Sequence, residues 1–288
     1  MLGEKVVGLA LERGHEVFSI YKEHPVTIGT SIRLDLKDGK SIANLVHKLA
    51  PEAIVHTAAY TDVDGCELNK DLAWCVNAEA TKHIAIVSAD VGAHLVYVST
   101  DYVFDGEKGL YSEEDEPNPI SYYSYTKLKG EQFVKERAEN WCIARVSVIY
   151  GWGGSKLNFA TWLIENLKQG KEVKILVDQY VSPTLNVNLA QMLLEIAERK
   201  LSSILHTAGA TRVSRYEFAL KLAEVFDLNA NLIKPAKMNE ILWKAKRPRD
   251  SSLNVGKARF LLKARPLELD EAIRKMKEGV EKSGVVEI

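Results

Sequence analysis

Three side chains near the middle of the chain have types and spacing suited to acid–base chemistry. Thr100 closes the apolar run Leu95-Val96-Tyr97-Val98-Ser99-Thr100, and Tyr123 and Lys127 follow, four residues apart, at the head of a helical pattern. A phenol with an ordinary pKa near ~10 is a poor acid–base group at neutral pH. A cation beside it stabilises the phenolate and brings that value down, and a lysine one turn from a tyrosine lies on the same helix face. Such a pair can deliver a proton to a carbonyl undergoing reduction, or remove one from an alcohol undergoing oxidation. A hydroxyl such as that of Thr100 can hold the reacting oxygen. The hydride has to come from a cofactor, because no side chain supplies one. The Tyr-x-x-x-Lys spacing alone is common, and it occurs twice here, as Tyr123/Lys127 and Tyr125/Lys129. The hydroxyl at a strand end upstream makes it informative, since open parallel sheets bind ligands at the carboxyl ends of their strands.

The elements that must position these groups read as alternating helices and strands. Residues 4–13 form an amphipathic helix stopped by Gly14, and residues 15–20 read as a strand. A short β-edge is expected over residues 33–36, ending in Asp35 and Leu36, and then a helix over 41–49 capped by Ser41 and closed before Pro51. Residues 53–57 are a buried strand followed by Ala58-Ala59-Tyr60. Two alanines there leave room for a flat or anionic group to reach the backbone, or for a helix to pack tightly. Residues 71–90 read as one long helix with Asn77 inside it, a place where asparagine is usually exposed or bonded to the preceding turn. Strands follow over 94–100 and 141–149. The rhythm stops at Gly151-Trp152-Gly153-Gly154-Ser155. Beyond it, helices are expected over 159–169, 189–200, 214–226 (with a Ser214/Glu217 capping box) and 267–278, and strands over 172–177, 204–208 and 232–234.

This alternation predicts an α/β fold, a Rossmann-type doubly wound parallel sheet. Residues 1–150 make the dinucleotide-binding domain and 151–288 mainly a smaller C-terminal substrate domain, with the strand and helix around 185–210 returning to the first. A doubly wound sheet opens on a strand and a glycine-rich turn, whereas this sequence opens on the helix. A first strand and its turn are therefore expected before Gly3; the sequence as it stands is expected to be poorly stable and to bind dinucleotide weakly.

Bulk properties narrow the function. With 288 residues, 46% hydrophobic and 27% charged, the chain is of the soluble globular class. A formal net charge of -1 and a pI near 6.7 give no reason to expect nucleic acid or an anionic membrane as partner. Cys66, Cys75 and Cys142 show no metal-ligand spacing, so no metal is expected, and free thiols in a reducing compartment are. Without a signal peptide or an apolar run of spanning length, cytoplasm is the expected location.

Longer strings add a family. Val98-Ser99-Thr100-Asp101-Tyr102-Val103-Phe104-Asp105-Gly106, Pro117-Asn118-Pro119 and Tyr123-Ser124-Tyr125-Thr126-Lys127-Leu128-Lys129-Gly130-Glu131 resemble the extended short-chain dehydrogenase/reductases, and within them the dTDP-4-dehydrorhamnose reductases. Ala58-Ala59-Tyr60-Thr61-Asp62-Val63-Asp64, Asn77-Ala78, Tyr150-Gly151, Asp178-Gln179, Ser182-Pro183-Thr184 and Arg247-Pro248 extend the resemblance over nearly the whole chain. It implies Tyr123 as proton donor, Lys127 as the group that lowers its pKa and holds the nicotinamide ribose, and Thr100 as the residue orienting the substrate carbonyl. It further implies Gly3, Asp35, Leu36, Ala58, Ala59, Tyr60, Asn77 and Val98 near the dinucleotide, and Asp101 and Phe104 beside the sugar. Val148 stands where the family often carries an aromatic residue reaching the sugar, which leaves two readings: Trp152 substitutes for it, or the substrate differs. The second strand ends in Tyr21-Lys22 rather than an acid, which leans toward NADP over NAD. The activity implied is NAD(P)H-dependent reduction of a nucleotide-linked 4-keto-6-deoxy sugar, with a homodimer compatible with the resemblance. Two other readings are a non-catalytic regulatory subunit like the β subunit of methionine adenosyltransferase, and a nucleotide-sugar epimerase or dehydratase. The complete Thr100, Tyr123, Lys127 set argues against the first. Asp101-Tyr102, where a dehydratase usually has Asp-Glu, argues against a dehydratase.

Overall fold

The computed structural model describes residues 1–283. All seven residues of the central strand, His94–Thr100, are buried, as expected of a parallel strand covered by helices on both faces. Leu95 and Tyr97 pack among Ile42, Ile84, Val134 and Ile143, and Val96 and Val98 pack on the opposite face among Leu2, Val6, Leu189 and Leu193. This is the two-residue alternation of a strand. Asn140–Val146 pairs parallel on one side of it and Ala53–His56 on the other, and Ser203–His206 adds itself beyond Asn140–Val146. A second parallel pair, Phe18–Tyr21 with Thr30–Arg33, stands apart from this four-stranded ladder. Among the described residues, Phe18–Tyr21 and Ala53–His56 are each bonded along one edge only.

Helices Leu2–Glu12 and Asn186–Glu198 pack against each other on one face of the sheet. Helices Gly39–Leu49, Ala80–Asp90 and Tyr122–Arg137 cover the other. The result is the Rossmann-type layering that the sequence predicts. A second core gathers Tyr150, Leu163, Phe218 and Ile273 around helices Phe159–Lys168, Arg215–Val225 and Leu269–Ser283 and the small parallel pair Val173–Leu176 with Ile233–Ala236. The Ser214/Glu217 capping box forms as expected. Among the described residues, no helix is long and apolar enough to cross a membrane.

Four local departures have physical causes. The second short strand is Thr30–Arg33 rather than 33–36, because Asp35 turns the chain by accepting from the Lys37 amide. The following helix is capped by Asp38, not Ser41: its carboxylate takes both the Ser41 amide, at 3.1 Å, and the Ser41 hydroxyl, at 2.7 Å. An ionised acceptor at a helix start outcompetes a hydroxyl. The long helix expected over 71–90 is interrupted by a π-helical turn, Trp74–Glu79. The strand expected to reach residue 149 ends at Val146, because Val148 takes a left-handed backbone with φ +35. A β-branched residue there is strained by about 1–3 kcal/mol. Thr184 holds the bend, its amide donating to the Val148 carbonyl and its hydroxyl to that of Ser147.

Candidate active site

The site lies where the central strand ends and helix Tyr122–Arg137 begins. Ser121 caps that helix in a reciprocal box with Ser124, so Tyr123 and Lys127 start from a fixed first turn. Both are buried, as is Thr100. Gly130 lets the helix lie this close to the strand: a Cβ there would stand 2.3 Å from the Tyr97 hydroxyl oxygen and 3.0 Å from the Asn77 carbonyl oxygen.

Burial raises the Tyr123 phenol above its ordinary value, and the Thr100 hydroxyl beside it opposes the rise. Burial brings the Lys127 amine down to about 7, with the Glu131 charge pulling the other way. The Lys127 ammonium donates to the Val98 carbonyl at 2.8 Å and lies 4.2 Å from the centroid of the Tyr97 ring. Val98, predicted beside the cofactor, thus meets the site through its carbonyl. Thr100 donates to Asp101 at 3.0 Å and accepts from the Tyr102 amide at 3.2 Å.

Asp101 and Phe104, expected beside the sugar, are both buried. The Asp101 carboxylate is enclosed by the hydroxyls of Thr100, Ser147, at 2.8 Å, and Ser251, at 2.6 Å, which join three distant segments behind the site. Burial raises its pKa while those three donors lower it. Phe104 is fully buried and stacks on Tyr111 at 4.2 Å. It therefore supports the loop after the strand and does not line the cleft. Trp152 also turns inward, donating its indole N–H to the Met276 carbonyl at 2.8 Å and packing on Phe226.

Asn77 is neither exposed nor bonded to its own helix. Its side-chain oxygen accepts from the Tyr60 amide at 2.8 Å, and its amide nitrogen donates at 3.1 Å to the Tyr60 carbonyl and to Thr126. Thr126 in turn donates to the Tyr123 carbonyl at 2.7 Å. The π-helical turn re-aims this side chain, a use such turns often have near functional sites. Asn77 thereby ties the Ala58-Ala59-Tyr60 loop to the backbone of the proton donor. Ala58 is exposed and Ala59 half-buried, so the two small residues leave the backbone open rather than packed under a helix. Gly3 sits beside that loop, where a Cβ would stand 3.2 Å from the Thr57 hydroxyl. Asp35 lies 3.6 Å from the Lys22 ammonium, and its pKa is lowered first by the Lys37 amide, with burial opposing and the lysine charges adding. Leu36 packs partly into the core on the side of Ile42 and Tyr97.

Several residues of the site have no role assigned from the sequence, although Asp64, Tyr102, Glu131 and Arg247 stand in the strings that carry the resemblance. Glu131 and Arg145 form a buried ion pair beneath it. Arg145 Nε and Nη2 donate to the two carboxylate oxygens at 2.9 and 2.7 Å, and Ser99 donates to Glu131 Oε1 at 2.6 Å. In front of the site opens a cleft of about 510 Å³ whose lining includes Tyr102, Phe159, Trp162, Lys174, Arg215, Trp243 and Arg247. Tyr102 contacts Tyr123 edge-to-face at 6.2 Å and so joins cleft to site. Asp64 steadies the far wall by accepting from the Ala245 amide at 2.9 Å and pairing with Arg247 at 3.1 Å.

A doubly wound sheet with a Thr/Tyr/Lys group at its carboxyl edge defines an NAD(P)-dependent oxidoreductase of the extended short-chain dehydrogenase/reductase class. Residues 1–281 match the family model described as RmlD substrate binding domain, and the chain belongs to that family. The probable low-salt glycan biosynthesis reductase Agl14 of Haloferax volcanii is 35% identical over 260 residues, covering 88% of this chain and 87% of that protein. Subunit beta of methionine adenosyltransferase 2 from Rattus norvegicus is 30% identical over 236 residues, covering 80% of this chain and 70% of that protein. Among solved structures, a hypothetical dTDP-4-dehydrorhamnose reductase from Sulfolobus tokodaii superimposes with a TM-score of 0.84 at 40% identity, over 93% of this chain and 94% of that one. The dTDP-4-dehydrorhamnose reductase of Bacillus anthracis, in complex with NADP, does so with a TM-score of 0.84 at 30% identity, over 96% and 97%.

Proposed function

We propose that this chain reduces the keto group of a nucleotide-linked 4-keto-6-deoxy sugar, in the manner of a dTDP-4-dehydrorhamnose reductase, with NADPH or NADH as reductant. The observation that supports the reading is that buried Tyr123, with Thr100 beside it and Lys127 one helix turn on at the Val98 carbonyl, is joined through the Tyr102 ring to a cleft of about 510 Å³ that holds three cations and three further aromatic rings. Aromatic faces suit a nucleobase, and Lys174, Arg215 and Arg247 suit a diphosphate.

The residues on the dinucleotide side fit a nicotinamide cofactor. The first turn of helix Leu2–Glu12 has no side-chain cap, so its amides are available to a phosphate, and Gly3 keeps the approach beside Thr57 open. Ala58, Ala59 and Tyr60 would follow the dinucleotide, Asp35, Leu36 and Lys22 would meet its adenosine end, and Lys127 its nicotinamide ribose. Lys22 would also suit the 2′-phosphate of NADP. The bound nicotinamide supplies the hydride. The chain's own residues manage the oxygen: Thr100 steadies the carbonyl, Tyr123 gives up its phenolic proton as charge builds there, and the Lys127 charge favours the phenolate left behind.

The test is to mix the protein with dTDP-4-keto-6-deoxyhexose and NADPH or NADH and follow the cofactor's absorbance and the sugar product. Consumption of one cofactor per sugar reduced is expected. An altered sugar without net cofactor consumption would turn the reading into epimerisation. Tight NADPH binding with no sugar chemistry would favour the second reading, a regulatory subunit, which the similarity to methionine adenosyltransferase subunit beta supports.

A further inference from the structure

Lys127 has to carry its charge in a place that penalises charge. Its ammonium is buried and, among the described residues, has one hydrogen-bonded oxygen, the Val98 carbonyl, on the strand side. The next residue back along that strand, Tyr97, presents its ring face 4.2 Å from the nitrogen. Tyr97 is itself fully buried, and its hydroxyl donates to the Lys127 carbonyl at 3.4 Å, which sets the ring against that turn of the helix. His56, from the neighbouring strand, stacks tilted on the other part of the ring at 5.5 Å and donates to or accepts from Thr81. Burial first, then the Lys127 charge, lowers the His56 pKa to about 3, so no second cation competes for the ring at neutral pH. Among the described residues, other charged and titratable groups on this side of the molecule include Tyr123 and Glu131 on its own helix, Arg145 on the next strand and bound to Glu131, and Asp101 beyond Thr100.

We propose that Tyr97 is a positioning residue for Lys127: its ring face holds the ammonium charged and aimed along the strand end, and through it supports the Tyr123 phenolate. A cation over an aromatic face is attracted by the ring's quadrupole, most strongly where water is excluded. The phenolic oxygen is not needed for that attraction, so Tyr97→Phe keeps it and Tyr97→Leu removes it. The effect on turnover rests on the reductase reading above; the effect on the Lys127 proton equilibrium does not.

The experiment uses the full chain and two readouts. The first is the urea midpoint between pH 6 and 10 for the wild type, Tyr97→Phe and Tyr97→Leu, each with and without Lys127→Met. Subtracting the Lys127→Met curve removes the cysteine and tyrosine contributions and leaves the rise in stability that begins at the folded pKa of Lys127. Tyr97→Leu is expected to move that onset down by about 0.5–1 pH unit, a three- to tenfold change in proton affinity, with Tyr97→Phe staying near the wild type. The second readout is the alkaline limb of kcat/KM for NADPH-dependent reduction, which is expected to move by the same amount and in the same direction. Tyr97→Met, which also lacks a ring and packs adaptably, replaces Tyr97→Leu if that variant does not fold. Equal onsets for the ring-less and phenylalanine variants, or loss of the shift in both, would overturn the proposal. A shifted onset in a protein that reduces no sugar would uphold it and refute the reductase reading instead.

Discussion

Replacing Glu131 by glutamine should cost this protein several kcal/mol. Glu131 and Arg145 are 0% and 1% exposed, and both Arg145 donors and the Ser99 hydroxyl converge on the carboxylate. The remaining Arg145 nitrogen, Nη1, has no hydrogen-bond partner among the described residues, and the guanidinium lies over the Phe104 ring at 5.1 Å. Almost all its compensation therefore comes from Glu131. Glu131→Gln keeps the shape but removes the charge, leaving a buried guanidinium uncompensated, at a cost of about 3–5 kcal/mol. With a urea dependence of roughly 3 kcal/mol per molar, the midpoint should fall by about 1–1.7 M. Because most of that cost is the stranded cation, adding Arg145→Met should recover part of it, and the pair should be strongly non-additive. Unfolding curves followed by circular dichroism for the two single variants and the double variant test this. A Glu131→Gln midpoint within error of the wild type, or additive losses in the double variant, would refute the claim that the pair is buried and mutually compensating.

Other consequences are more local. Asn77→Ala should lose its bonds to Tyr60 and Thr126 and destabilise by about 2–4 kcal/mol, read as a drop in melting temperature, with NADPH affinity falling as the Tyr60 loop loosens. The Lys127 pKa is lowered from 10.5 to about 7 on folding, so between those values the unfolded chain binds more protons than the folded one, and stability should rise with pH across that window. Lys127→Met should abolish that component of the rise, as urea midpoints at several pH values would reveal. Arg247→Ala should raise KM for the nucleotide sugar roughly tenfold or more while changing kcat little, since Arg247 lines the cleft and not the reacting oxygen. Steady-state kinetics that instead showed a fall in kcat at constant KM would put Arg247 in the chemical step.

The parts of the fold and site that could be read in the sequence are those set by neighbours in the chain. The strand His94–Thr100 declares itself by an unbroken apolar run, and the Tyr123/Lys127 pair by helical spacing. The Ser214/Glu217 box spans four residues and forms as written. What could not be read depends on distant contacts or on a single dihedral angle. Nothing in the periodicity of residues 71–90 marks the π-helical turn that swings Asn77 inward, because one widened turn leaves the apolar pattern almost unchanged. The left-handed Val148 ends a strand whose β-branched composition says it should continue; Thr184, far along the chain, decides it. Asp101 and Phe104 stand next to Thr100 in sequence, yet the short 3-10 turn after the strand carries both into the interior. Trp243 and Arg247 come to the cleft from another part of the chain, held by Asp64, a pairing that no local pattern encodes.

The proposed reaction has Tyr123 protonate a sugar oxygen while hydride is delivered to the adjoining carbon. Single-turnover reduction of dTDP-4-keto-6-deoxyhexose with NADPH deuterated on the transferred position, for the wild type and Tyr123→Phe, after showing by titration that both bind NADPH alike, tests it. One deuterium at sugar C4 is expected with the wild type, and a rate lower by about 10²–10⁴ with Tyr123→Phe. Undiminished deuterium transfer by Tyr123→Phe, or a wild type that reduces the sugar without label at C4, would contradict it.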